Sequence, residues 1–152
     1  MDCAGLTSVY LPKANGDSNY EKAVFQNCTS LEYLVLPSYT ALPYSDFARG
    51  CTALIGVDMP FTFINWASGI FRDDTNFNLL ILRHTAVVTL NGTSHFIGTP
   101  FENGGTGGDI YVPSDLLSSY QQASNWSSLA ATWHAIEGSY YETHYADGTV
   151  IE

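Results

Sequence analysis

The chain has 152 residues and a formal charge of −10, because 15 Asp and Glu stand against 5 Lys and Arg. Its length suits one domain with a core, and 45% apolar and 14% aromatic residues exclude an intrinsically disordered chain. Nucleic-acid binding and membrane insertion are also excluded, because the cations are too few for a phosphate footprint and no apolar run reaches about 18 residues. The opening MDCAGLTSVY lacks the basic and apolar regions of a signal peptide, so any secretion signal would lie outside this chain.

A repeated frame runs through most of the chain. Cys3, Cys28 and Cys51 each begin the frame C-x-x-L-x-x-[LV]-x-[LM]-P, and further copies begin at Asp74 and Thr99. The starting points are spaced by 25, 23, 23 and 25 residues. A period of about 20–29 residues around L-x-x-L-x-L is typical of leucine-rich repeats. The sequence therefore predicts a β-rich leucine-rich-repeat solenoid of the α/β class over residues 1–112, with about five coils.

Each copy of the frame is expected to form a short strand, because its x-L-x-L part alternates with the period of a strand. Successive coils then pair these strands into a parallel ladder, and rows of apolar side chains fill the core. A proline ends the strand in every copy but the fourth, where Arg83 takes its place. These prolines are Pro12, Pro37, Pro60 and Pro113. Because the three cysteines are odd in number and form no C-x-x-C pair, they are predicted to be structural thiols.

The segment after the repeats changes character, and residues 113–138 are predicted to cap the array with a helix and a closing strand. An apolar spacing after the N-capping Ser114 predicts the helix over residues 114–123. The seal is expected to be completed by Trp126, Leu129 and Trp133. The tail, residues 139–152, carries an Asp-Gly turn signal between alternating residues, which predicts a hairpin or the start of a further β module.

The first coil has no comparable cover in the sequence. Its apolar frame residues Leu6, Val9 and Leu11 would face outward along the axis at that end. We therefore expect that the chain continues in a longer polypeptide or that another subunit covers this end.

Two frames, FQNCTSLEYLVLP (25–37) and GCTALIGVDMP (50–60), resemble the BspA-type leucine-rich repeats of bacterial surface proteins and some phage structural proteins. Residues 109–138 are similar to the segment that often closes such arrays, so the resemblance covers roughly residues 3–138. The resemblance implies a non-catalytic binding or spacer module located outside the cell or on a virion. It also implies that there are no shared catalytic residues to transfer to this chain.

The reactive residues form no recognisable catalytic or metal-binding motif. His95 and His134 are candidates for a spatial triad, but neither lies in a metal-binding spacing, so a hydrolase is a remote alternative. The glycine-rich run 104–108 lacks the lysine of a phosphate loop and leads into a strand. Three polar residues, Asp73, Asp74 and Asn76, lie within one turn. Two interpretations account for them, a weak cation site or solvated loop carboxylates. No enzymatic activity, metal or cofactor is predicted.

The outward side of the strand ladder is the predicted functional surface. The frame places there a tyrosine-rich, apolar stripe with one carboxylate in it. Its members are Tyr10, Tyr33, Val35, Ile55, Asp58, Leu79, Ile81 and Tyr111. Contiguous apolar residues on an exposed solenoid face usually mark an interaction site, although strand propensity or a permanently packed neighbouring chain also accounts for them.

Together these observations favour a non-catalytic module that recognises protein or glycan at a bacterial cell surface or on a phage particle. The alternative is a structural spacer or assembly module whose ends and sheet face contact sister chains. Neither interpretation involves nucleic acid or membrane insertion, and the uncovered first coil leaves room for an oligomer.

Overall fold

The computed structural model describes residues 3–10, 24–36, 45–59, 66 and 68–152. Its centre is a six-stranded parallel sheet of the α/β class, whose strands lie side by side in chain order. The strands are β1 (Ser8–Tyr10), β2 (Tyr33–Val35), β3 (Gly56–Met59), β4 (Leu79–Leu82), β5 (Gly108–Val112) and β6 (Ala131–Ala135). The helical elements among the described residues are α1 (Leu117–Gln122) and the 3-10 turns Ser94–Phe96, Ser114–Leu116, Trp126–Ser128 and Tyr140–Glu142. None of these helices has the length and apolar character that a bilayer-spanning helix needs.

The frame residues predicted to share one inward row do so. Each strand pairs with the next in a register that brings these residues side by side. Leu34, Val57 and Leu80 have no exposed surface, so each contributes about 2 kcal/mol through burial. The full row is Val9, Leu34, Val57, Leu80, Ile110 and Trp133. Some predicted frame positions lie outside the described residues: Leu11, Pro12, Pro37 and Pro60.

A second line of contacts between repeats runs along the turns that precede each frame. The residue just before the frame start has a left-handed backbone in four successive copies, with φ of 58° at Asn27, 77° at Gly50, 66° at Asp73 and 77° at Gly98. Backbone hydrogen bonds of 2.8–2.9 Å join each of the first three residues to the turn one repeat later. Gly, Asn and Asp adopt this conformation most readily, so the sequence at this position follows from the backbone geometry.

Aromatic rings fill the space between the strands and these turns. Phe25, Phe71 and Phe96, which stand three residues before a frame start, are all buried. The ring of Phe71 lies 4.7 Å from that of Phe77 and 6.2 Å from that of Phe96, measured between centroids. Trp66 packs edge-on against Phe71 at 5.7 Å. Ring pairs of this kind stabilise a core by about 0.5–1.5 kcal/mol each beyond their burial.

The residues that begin each frame form a largely buried row, and the three cysteines are free thiols. The Cys51 thiol donates a hydrogen bond of 3.0 Å to the carbonyl of Phe25, one repeat earlier. Asp74 enters the same row, and its Oδ1 accepts a 2.7 Å hydrogen bond from the Cys51 backbone N–H. Burial raises the pKa of Asp74 to about 9, so its carboxyl group is protonated at neutral pH. Thr99 completes the row with a hydroxyl that donates to Phe96 O at 2.8 Å.

The C-terminal cap packs against the β5–β6 end of the sheet. Where the sequence predicts one helix over residues 114–123, the structure has a 3-10 turn followed by α1. Tyr120 and Trp126 are fully buried in this cap. The Tyr120 hydroxyl accepts a hydrogen bond from Val88 N at 3.0 Å, and Trp126 Nε1 donates to Val88 O at 2.7 Å. These bonds satisfy both backbone groups of a buried residue and fix the cap on the preceding chain.

Candidate interaction face

Seven of the eight predicted surface residues lie in two neighbouring rows, on the side of the sheet opposite the inward row. Tyr10, Val35, Asp58, Ile81 and Tyr111 are successive register partners across β1 to β5. A parallel row contains Tyr33 and Leu79, whose side chains close over Gly56 between them. Ile55 lies just before β3 and is partly buried. We call these two rows the outward face, and Ile55, two residues before the inward Val57, is outside them.

The final residues of the chain cross this outward face. Residues 139–152, here called the C-terminal strap, turn back on themselves, with Tyr145 N donating to Thr149 O at 2.8 Å and His144 bridging antiparallel to Val150. The strap packs its Ala146 against Ile81, in a cluster that also contains Ile136 and Tyr141. The turn that the Asp-Gly signal predicts is therefore present, and its contacts are with the sheet.

The strap divides the outward face into covered and open parts. Val35, Asp58 and Ile81 have no exposed surface, whereas 47% of Tyr10 is exposed. Tyr33, Ile55, Leu79 and Tyr111 are partly exposed. The middle of the predicted stripe is thus closed by the protein itself, and the β1 end stays accessible.

Arg83 and Asp58 form the polar centre beneath the strap. Arg83 stands where the other frames have proline, and its guanidinium holds the Asp58 carboxylate through Nε–Oδ1 at 2.7 Å and Nη2–Oδ2 at 3.0 Å. The same guanidinium donates to the carbonyls of Tyr141 and His144, both at 3.0 Å. Asp58 Oδ2 accepts the backbone N–H of Ala146 at 3.0 Å. This network ties the strap to β3 and to the end of β4.

Burial sets the electrostatics of this network. Burial raises the pKa of Asp58, and the hydrogen bonds and charge of Arg83 oppose that rise by stabilising the carboxylate. The pair is almost fully buried, with side-chain exposures of 8% for Arg83 and 0% for Asp58. Removing either partner therefore leaves an uncompensated buried group, which typically costs about 3–5 kcal/mol.

The other end of the outward face carries a smaller aromatic group. The imidazole of His134 stacks on the ring of Tyr111 at 4.6 Å, and its Nε2 lies 2.8 Å from Asp109 Oδ1. Tyr141 of the strap meets Tyr111 edge-on at 4.7 Å. The frame predicts the place of Tyr111, but no sequence pattern predicts its contacts with His134 and Tyr141.

The remaining candidates for chemistry are dispersed. His95 is buried against Trp66 at 5.8 Å, and burial lowers its pKa to about 4, so its ring is neutral at neutral pH. Asp73 pairs with Arg49 at 3.1 Å, while Asn76 Nδ2 donates to a backbone carbonyl. Within the ranges that the structure describes, no group of three or more His, Cys, Asp or Glu is placed to hold a metal ion.

An open groove of about 380 Å³ lies where the strap meets β1. A cavity of this volume is within the range of small-ligand sites. The groove is lined by Tyr10, Tyr145, Asp147, Thr149, Val150 and Glu152. We call it the Tyr10 groove. Of these residues only Tyr10 could be predicted from the sequence, because the strap residues occupy no position of the repeated frame.

Comparison of the chain with protein-family models, with curated proteins and with solved structures finds no match.

Proposed function

We propose that the chain is a leucine-rich-repeat solenoid of about five coils, similar to the BspA type, that acts as a non-catalytic recognition module. Its ligand is a protein or a glycan, and its place is a bacterial cell surface or a phage particle. The outward face of the strand ladder is the binding surface. No reaction and no cofactor are part of this proposal.

The repeat character is supported by agreement between two independent patterns. Frame starts that are 23–25 residues apart coincide with strands that pair in chain order. The left-handed residues at Asn27, Gly50, Asp73 and Gly98 recur with the same spacing. A parallel sheet in chain order with rows of equivalent side chains is the arrangement that stacked repeats generate.

The open Tyr10 groove is the observation that carries the binding role. The middle of the outward face is closed, yet this end combines a tyrosine that is 47% exposed with a concave surface. Aromatic residues in partly open pockets are the side chains that most often anchor a ligand, because they bury a large area at little entropic cost.

A structural spacer or assembly module is the second candidate. It is favoured by the full burial of Val35, Asp58 and Ile81, which leaves less of the outward face for a partner than the sequence predicts. In this case the ends of the array, rather than the outward face, contact sister chains. A reaction has less support, because the Tyr10 groove contains neither His95 nor His134.

The test is a binding screen against arrayed glycans and peptides. The wild-type chain is compared with Tyr10→Ser, and Ile97→Ser serves as the matched control because Ile97 is 37% exposed in a turn away from the strands. We expect a ligand whose binding falls at least tenfold with Tyr10→Ser and is unchanged with Ile97→Ser. Equal effects of both variants, or no ligand together with concentration-dependent self-association in sedimentation, would contradict the recognition role.

A further inference from the structure

The Tyr10 groove carries negative charge that the described part of the chain does not neutralise. Two of its lining side chains, Asp147 and Glu152, are carboxylates, and no lining side chain among the described residues is a cation. The three described arginines, Arg49, Arg72 and Arg83, are paired with other carboxylates. With a formal charge of −10 on the whole chain, the field in the groove attracts cations.

One carboxylate of the groove is held in place by its own turn. Asp147 Oδ1 accepts hydrogen bonds from the Thr149 backbone N–H at 3.0 Å and from the Thr149 hydroxyl at 2.7 Å. Its second oxygen forms no hydrogen bond within the described residues. The carboxylate is therefore oriented before any ligand arrives, and an oriented acceptor loses little entropy on binding.

The aromatic wall of the groove suits a cation as well. Tyr145 meets Tyr10 edge-on at 5.7 Å, and the Arg83 guanidinium lies 5.4 Å from the centroid of the Tyr145 ring. Tyr145 thus already accepts a cation from within the protein. The exposed ring of Tyr10 offers a second aromatic surface beside the two carboxylates, and cations bind favourably over such faces.

We infer that the Tyr10 groove binds a cationic side chain, a guanidinium or an ammonium group, of a basic protein segment. The inference deepens the proposed function and rests on it, because it selects a basic protein over a neutral glycan. The charged groups of the groove are carboxylates, which bond most strongly to cationic donors, whereas a neutral sugar leaves their charge uncompensated. Asp147 and Glu152 supply the charge, and Tyr10 supplies the aromatic contact.

The experiment is an NMR titration of the full, ¹⁵N-labelled chain. The probes are acetyl-Arg-Arg-amide, its neutral counterpart acetyl-Gln-Gln-amide, and chitotriose as a neutral sugar. We expect saturable shifts of the Tyr145 and Thr149 amides with the arginine peptide alone. The double variant Asp147→Asn with Glu152→Gln is expected to weaken this binding roughly tenfold, since two exposed charge contacts are lost.

The variants are chosen to keep the fold. Asn at position 147 retains the oxygen that accepts from Thr149, and Asp115→Asn serves as a control because Asp115 is an exposed carboxylate on the cap. The control is expected to bind the arginine peptide as the wild type does.

Several outcomes would overturn the inference. These are no saturable shift up to about 10 mM peptide, equal shifts with both peptides, or undiminished binding by the double variant. Groove shifts with chitotriose but not with the arginine peptide would reject the cation and leave the proposed function intact. Absence of groove shifts with both chitotriose and the arginine peptide, together with unchanged array binding by Tyr10→Ser, would reject the proposed function as well.

Discussion

Asp74→Asn is expected to make the protein more stable at neutral and alkaline pH. Asp74 lies in the same row as Cys28, Cys51 and Thr99, and it has no exposed surface. Burial raises its pKa from the usual 3.8 to about 9. Asn resembles the protonated carboxyl in shape and keeps the oxygen that accepts the Cys51 N–H. The substitution therefore removes the titration and keeps the hydrogen bond.

The sign and size of the effect follow from linkage. A group with a raised folded pKa stabilises the fold below its unfolded pKa, and this contribution is lost as pH rises through the folded pKa. Asp74 therefore lowers the free energy of unfolding by up to about 1.4 kcal/mol per pH unit between pH 4 and pH 9. Relative to Asn, the cumulative loss at pH 7 is about 4 kcal/mol.

His95 contributes a slope of the opposite sign. Burial lowers its pKa from 6.5 to about 4, so its contribution is complete above pH 6.5 and disappears as pH falls toward 4. In the wild type these two slopes oppose each other between about pH 4 and pH 6.5, and above that range His95 no longer offsets the Asp74 slope. We expect Asp74→Asn to unmask the rise that His95 produces up to about pH 6.5, followed by a plateau.

The assay is urea unfolding at half-unit steps from about pH 4.5 to pH 9, followed by the fluorescence of the buried Trp66 and Trp126. Asp115→Asn, an exposed carboxylate, is the control and should follow the wild-type curve. Wild-type and Asp74→Asn curves that stay parallel between pH 5 and pH 8 would refute the reasoning, because they would mean that Asp74 is ionised in the fold.

Three further predictions concern the strap, the turns and the cap. Arg83→Met is expected to lower the free energy of unfolding by about 3–5 kcal/mol, because Asp58 is left buried and unpaired. Urea unfolding measures this loss. Recovery of stability in the double variant with Asp58→Leu would identify the ion pair as its cause. Gly50→Ala should lower the free energy of unfolding by more than about 1 kcal/mol, because φ at Gly50 is 77° and an added Cβ would lie 2.5 Å from Asn27 Oδ1. Gly5→Ala is the control and should be neutral, because an added Cβ at Gly5 would have no atom within 4 Å. Tyr120→Phe should cost about 1–3 kcal/mol in the same assay, since a buried backbone N–H loses its acceptor; a loss below about 0.5 kcal/mol would show that another acceptor replaces the phenol.

The parallel sheet could be predicted from the sequence because the regular spacing of the repeated frame determines how the strands pair. Side chains at Leu34, Val57 and Leu80 recur at a fixed spacing, and a strand has only two faces, so their common row follows from alternation. The aromatic seal of the cap was predictable for a related reason, since the end of an array must cover its last row.

The left-handed turn residues follow a second sequence pattern that recurs with the frame. Asn27, Gly50, Asp73 and Gly98 each stand one position before a frame start, and all belong to residue types that tolerate positive φ. The apolar periodicity does not reveal these positions, because they share a backbone preference and not hydrophobicity.

The strap could not be placed from the sequence. Its contacts join residues up to 88 positions apart, as between Asp58 and Ala146, and no local pattern encodes such a distance. Two departures from the frame did mark the docking point, namely Asp58 on an apolar stripe and Arg83 in the place of proline. A lone carboxylate on a strand face and an unexpected arginine one repeat later are complementary charges, and their pairing was the available clue.

The central claim is that ligands bind the outward face at its open end. The most direct measurement is amide hydrogen exchange of the full chain with and without the tightest ligand from the array. The claim predicts slowed exchange in β1 and in residues 143–152, with little change in the turns that precede the frames. Slowed exchange confined to the cap at residues 114–128, or to the turn around Ser94–Phe96, would place the binding surface elsewhere and contradict the claim.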